Sequence, residues 1–295
     1  MNGIAFRYAL PDKRFDSEWE AIKLPEQVRK RLVAHALFLL TVRQKIPFES
    51  APLHGLIVFS GPPGTGKTTL ARGLANHVAL ALPNEKTQFL QVDPHALASS
   101  ALGRSQKEVA KFFRQTIPEA AMNGPCIVLL DEVETIAVDR HKLSLEANPI
   151  DVHRATDAVL TGLDFLTHEH KRVLIVATTN FPKAVDKALL SRADLIEEFD
   201  LPDAEARREI IADALSNLAT VWPKVSRLER DTASFVKASE GLDGRRLRKA
   251  IIMAAAWSVE TAQDLNKLTT HQILDALKSA RLSIGEEHHE STKRH

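Results

Sequence analysis

Residues 61–69 read GPPGTGKTT, a spacing whose chemistry is the binding of phosphate. Gly61, Gly64 and Gly66 let the backbone curl until its N–H groups face anionic oxygens, with Pro62, Pro63 and Thr65 completing the loop and Thr69 leading into a helix. Lys67 reaches the terminal phosphates, and the Thr68 hydroxyl is a ligand for magnesium. The context is the one such a loop needs, because the apolar run HGLIVFS precedes it and the helical pattern ARGLANHVALAL follows it. A nucleoside triphosphate is the expected ligand.

Downstream, the apolar run CIVLL ends in adjacent carboxylates, Asp131 and Glu132. Phosphoryl transfer rewards positioning and charge placement, so Asp131 is expected to hold a magnesium shell through water and Glu132 to orient and polarise the attacking water. A later run, RVLIVATT, ends at Asn180, a short polar side chain suited to touch both the terminal phosphate and that water. Charge on the transferred phosphoryl calls for cations beyond Lys67. Arg192, in LLSRAD, is placed to reach a neighbouring subunit's site, and Arg245, after Gly244, is placed to contact nucleotide. Basic neighbours Arg246, Arg248 and Lys249 leave open a solvated helix face at that second position.

The elements that must position these groups follow from the hydrophobic pattern. Five β-rich segments, HGLIVFS, TQFLQVD, CIVLLD, RVLIVATT and DLIEEFD, alternate with helical stretches long enough for crossovers. A parallel five-stranded sheet flanked by helices is the expected α/β core, with the site at its carboxyl edge. The boundaries are an arm over 1–18, the nucleotide-binding domain over 19–201, a small all-helical lid over 202–283 and a disordered tail over 284–295. From Trp19 the text becomes an amphipathic helix entered through Pro25. In the tail, His288, His289 and His295 sit among charges with no apolar face.

The 295 residues carry 44% hydrophobic and 26% charged side chains and a formal net charge of +1. That balance suits a two-domain globular protein and argues against nucleic acid or an anionic membrane as principal partner. The one cysteine, Cys126, lies in an apolar run and reads as core. No stretch has membrane-spanning length, and the start of the chain lacks the order of a secretory signal, so a cytoplasmic location is expected.

Together GPPGTGKT, VLLDEVE, ATTN, SRAD and GLDGRRLRKA resemble the AAA+ ATPases. More narrowly, LLDEVETIAVDR, HRATDAVLTGLD, LLSRADLIEEF and GLDGRRLRKAIIMAA resemble the pachytene-checkpoint remodelers that act on HORMA domains. The resemblance implies ATP and magnesium, a homo-hexamer, and a pore that engages a HORMA terminus and converts the closed domain to an open, partner-free one. The short arm before Trp19 favours the bacterial branch, associated with cyclic-oligonucleotide antiphage (CBASS) systems, in which a HORMA complex with a nucleotidyltransferase is dismantled.

The same resemblance aligns Ala101, Leu102 and Gly103 with the first pore loop, without its usual aromatic grip, and sets Arg154 and Asp164 at the subunit border. It places Ile22 beside the base. Two other classes stay open. A nucleotide-switched DNA-binding or loader ATPase is disfavoured by charge and by the absence of an appended helix-turn-helix. A general unfoldase is the other, although no HExxH motif provides a built-in protease.

Overall fold

A computed structural model of the chain describes residues 3–93, 97, 105–139 and 149–292. The expected pore-loop residues Ala101, Leu102 and Gly103 lie outside them, as does His295. The chain divides into two compact units, one holding the chain to Pro62 with Lys67–Phe199, the other Pro63–Gly66 with the chain from Asp200 onward.

The first unit is built on six strands: β1 Ile4–Leu10, β2 Leu56–Ser60, β3 Thr87–Val92, β4 Cys126–Leu130, β5 Val173–Thr179 and β6 Leu195–Glu198. Their order across the sheet is β1-β3-β4-β5-β2-β6. The five expected strands are all present and parallel, and β1 is an addition, antiparallel to β3. Its residues, IAFRYAL, are mostly exposed or half-buried. An edge strand of this kind owes its place to backbone pairing more than to burial, which is why the sequence offers only a weakly patterned arm there.

Strand alternation divides the core in two. Val58, Leu90, Val92, Val128, Leu130, Ile175 and Ala177 face one way, into a cluster completed by Val109, Phe112, Phe113, Val159 and Leu163. Those partners belong to α4 (Ser105–Lys111), a π-helical turn (Phe112–Thr116) that continues into α5 (Ile117–Ala121), and α6 (Pro149–Glu169). Ile57, Phe59, Phe89, Ile127, Leu129, Leu174 and Val176 face the other way. There they meet α1 (Arg14–Ala21), α2 (Glu26–Thr41) and α3 (Lys67–Leu80) through Phe15, Trp19, Leu32, Leu39, Leu70 and Leu74. The helix expected to be entered through Pro25 is α2, and Trp19 itself lies on the separate α1. Residues 22–25 separate the two, and α2 starts directly after Pro25, whose fixed φ suits a helix entrance.

After β5 a short helix, α7 (Lys187–Leu190), leads to β6. The second unit is helical: α8 Ala204–Ala219, α9 Thr232–Ala238, α10 Gly244–Met253, α11 Val259–Gln263 and α12 Thr270–Thr292. Ile211, Leu215, Phe235, Leu247, Ile251, Ile273 and Leu277 form its core. Asp203 and Asp243 cap α8 and α10 by accepting the N–H groups of Ala206 and Arg246. The last helix runs on through Thr292 instead of giving way to a tail at residue 284.

Candidate functional site

Three strand ends and one loop assemble the chemistry. The loop leaves β2 at Gly61, whose φ is +142°, and passes Gly64 and Gly66 at +83° and +91°, values that favour glycine. A Cβ on Gly61 would stand 2.0 Å from the Phe199 carbonyl oxygen, so the first position tolerates no side chain. Helix α3 opens at Lys67. Its buried ammonium group donates to the carbonyls of Gly61 and Pro62 at 2.7 and 2.8 Å, which holds it under the loop.

At the second residue of α3, the Thr68 hydroxyl donates to Asp131 Oδ1 at 2.7 Å. A hydroxyl and a carboxylate converging in this way are the hard oxygen donors that suit magnesium. Thr178, near the end of β5 and almost fully buried, donates to the same oxygen at 2.5 Å and accepts the Glu132 N–H at 3.1 Å. One hydroxyl therefore ties both adjacent acidic residues to the neighbouring strand. Sequence reasoning missed it, choosing Asn180 alone from a Thr-Thr-Asn run. The one available signal was register: strand alternation turns Thr178 to the face opposite its neighbours Ala177 and Thr179, beside Phe59 of β2.

Glu132 has a left-handed backbone, φ +50° and ψ +55°, unique among non-glycine residues in the described chain. Such a conformation is uncommon for a residue with a side chain and concentrates at functional positions. It ends the β4 segment abruptly and leaves the Glu132 side chain exposed, where the Asn180 amide approaches its Oε1 at 3.5 Å. Lys67, Thr68, Asp131, Glu132 and Asn180 are thereby brought to one edge of the sheet.

Other expected residues fall elsewhere. Arg192 emerges after α7, which Asp186 caps by accepting the Ala188 N–H. Its Nε and Nη2 donate to the two oxygens of Asp164 on α6 at 2.7 and 2.8 Å, and Nη1 donates to the Ala188 carbonyl. Two residues further on, Asp194 accepts the N–H groups of His54, Gly55 and Leu56, pinning this segment to the start of β2. Hydrogen bonding from Arg192 holds the Asp164 carboxyl below the ordinary carboxylate range, and the same bond raises Arg192. Arg154 is exposed on α6, Arg245 is exposed in the first turn of α10, and Ile22 is half-buried against the α1–α3 side of the core.

The sequence profile of the ATPase family associated with various cellular activities (AAA) matches residues 57–201. CD-NTase-associated protein 6 of Pseudomonas aeruginosa is 48% identical over 281 residues, 95% of this chain and 92% of that protein. The chain belongs to the AAA ATPases, in the family of that protein. This AAA ATPase is also 33% identical to the putative pachytene checkpoint protein 2 of Caenorhabditis elegans, over 81% of this chain and 62% of the nematode protein. The solved structure of C. elegans PCH-2 superposes with a TM-score of 0.76 at 26% identity, covering 94% of this chain and 75% of that one. The fold is shared by a chain of the E. coli MS115-1 HORMA:CdnC:Trip13 complex, with a TM-score of 0.72 at 20% identity over 93% and 94% of the two chains. As an AAA ATPase, the protein binds nucleotide and hydrolyses ATP. Among the described residues no helix is long and apolar enough to cross a membrane.

Proposed function

We propose that this ATPase opens closed HORMA-domain proteins and dissociates their complexes, restraining a bacterial cyclic-oligonucleotide antiphage system. The observation that carries the reading is the near full-length similarity to a CD-NTase-associated protein. A fold shared with a subunit of a HORMA:CdnC:Trip13 assembly accords with it. The partners are a HORMA protein and the nucleotidyltransferase bound to it, the location is the cytoplasm, and the working form is a homo-hexamer.

Within each protomer, the loop N–H groups and Lys67 bind the phosphates of ATP. Thr68 and Asp131, whose oxygens converge, would hold magnesium. When bound, that ion neutralises charge on the phosphate oxygens. Glu132 orients the attacking water, with Asn180 beside it to fix the water and the terminal phosphate. Arg192 supplies a cation to the adjoining protomer's site, Arg154 and Asp164 relay its state, and Arg245 and Ile22 contact the nucleotide. Residues 101–103 engage the substrate chain, with Leu102 as the apolar grip.

The decisive experiment measures ATP hydrolysis with and without a HORMA protein encoded beside this one, following release of its closed complex in parallel. Stimulated hydrolysis and release, both abolished in Glu132→Gln while ATP binding persists, is the expected result. Unstimulated hydrolysis with an intact complex rejects the HORMA reading and leaves the ATPase without a client; salt-sensitive stimulation by DNA in its place points to a loader.

A further inference from the structure

The mechanism above leaves unused a third acidic side chain at the site, Glu134. We infer that Glu134 is a positioning residue for ATP hydrolysis, acting through the backbone of Asn180. The inference concerns the ATPase reaction and does not depend on which protein is remodelled.

Three observations converge on it. The Asn180 N–H donates to Glu134 Oε1 at 3.1 Å, across 46 residues of sequence. The other oxygen of the same carboxyl, Oε2, is buried without a hydrogen-bond partner among the described residues. Burying a carboxyl oxygen in that state lowers stability, and an apolar residue of similar size would avoid the loss. Retained unpaired polar atoms of this kind call for a functional explanation. Third, Glu134 lies in the 3-10 turn Val133–Thr135, which begins at the left-handed Glu132 and packs on the end of β5. The strained residue and the carboxyl clip are thus parts of one turn.

The geometry gives the clip a purpose. Asn180 has its side chain turned toward Glu132 at a long 3.5 Å. That approach is too loose to fix the residue by itself. Phe181, which follows, is largely exposed, and its N–H is taken by the Thr179 hydroxyl. The Asn180 backbone is therefore held from the β4 side by Glu134, while the amide is left available for water and phosphate. Thr178 joins β5 to Asp131 and Glu132, and Glu134 joins the next turn of chain to Asn180. Together they set the separation between the residue that polarises water and the residue that orients it, and displacements near 1 Å in such arrangements cost on the order of 100-fold in rate.

The test compares Glu134→Gln, Glu134→Asp and Glu134→Ala, alone and combined with Asn180→Ala, in steady-state ATP hydrolysis and in equilibrium binding of a fluorescent ATP analogue. Glutamine keeps an acceptor oxygen at the same reach and is expected to retain kcat within about threefold. Aspartate keeps the acid but is one methylene short, and with alanine it is expected to lower kcat by roughly 10- to 100-fold while nucleotide affinity stays within about twofold. In the Asn180→Ala background the further loss is expected to fall below about threefold, because both changes remove one device. A kcat in Glu134→Asp within twofold of wild type overturns the inference. So do losses in Glu134→Gln as large as in Glu134→Asp, or losses that multiply fully with Asn180→Ala. Should Glu134→Ala fail to fold, the aspartate and glutamine arms decide the outcome.

Discussion

Arg192 and Asp164 form a bidentate ion pair within a single chain, Nε to Oδ1 at 2.7 Å and Nη2 to Oδ2 at 2.8 Å. Both were expected at a subunit border, and here they occupy each other. An arginine that serves a neighbouring site must have its guanidinium aimed before the neighbour arrives, and a two-pronged carboxylate fixes its plane.

Mixing two inactive variants tests whether Arg192 acts across a subunit boundary. Arg192→Ala should lower turnover by roughly 10³-fold with nucleotide binding intact. Adding Glu132→Gln protomers, which keep the arginine, should restore measurable hydrolysis to Arg192→Ala sites. Absence of recovery in verified mixed assemblies would place Arg192 within its own site.

The same pair predicts a pH dependence. Because Arg192 depresses the folded Asp164 pKa below 3.8, the pair contributes its full stabilisation above the unfolded value and loses it as pH falls through the lower folded one. The melting-temperature gap between wild type and Asp164→Asn should therefore be widest above the ordinary carboxylate range and close as pH falls below it. With both side chains partly exposed, the gap should also shrink at high salt.

Thr178→Val removes a hydroxyl without changing volume much. It deprives Asp131 of a donor and the Glu132 N–H of its acceptor. Stability should drop by about 1–3 kcal/mol in denaturant melts, and kcat should fall by on the order of 10- to 100-fold through displacement of the two acidic residues. Unchanged kcat would mean that Asp131 and Glu132 are positioned by other contacts.

Gly61→Ala should weaken nucleotide binding by more than about tenfold in titration calorimetry. The added Cβ meets backbone, at 2.0 Å from the Phe199 oxygen, so a neighbouring side chain cannot simply move aside.

Cys126 offers a probe of the core. Burial pushes its thiol up to about 12, so near neutral pH it is protonated and shielded. Ellman's reagent should react with it only through opening of the fold, at a rate that rises with denaturant. Immediate reaction in the native protein would contradict the burial of β4.

What the sequence made legible follows from how local each signal was. The phosphate loop, the paired acids after β4 and Asn180 are short motifs attached to strong strand patterns, and the structure gathers them at one sheet edge. Thr178 was hidden by two polar neighbours, because choosing among them requires knowing which face of β5 each occupies. Glu134 reads as one more charge in an acidic turn until its partner, 46 positions away, is known. The Arg192–Asp164 pair, 28 positions apart, likewise has no local signature. β1 escaped notice for a different reason: its pairing is carried by main-chain groups, which leave little trace in composition.

The placement of β1 has a bearing on how the chain is made. Its residues 4–10 are synthesised well before their partners, residues 87–92. At typical synthesis rates of roughly 5–20 residues per second, the strand must wait several seconds for β3 to appear. During that interval its apolar side chains Phe6 and Tyr8 have no sheet to join. Substitutions within β1 therefore act on nascent-chain yield as much as on the finished enzyme. Soluble expression, more than activity per molecule, is where changes to this strand should register.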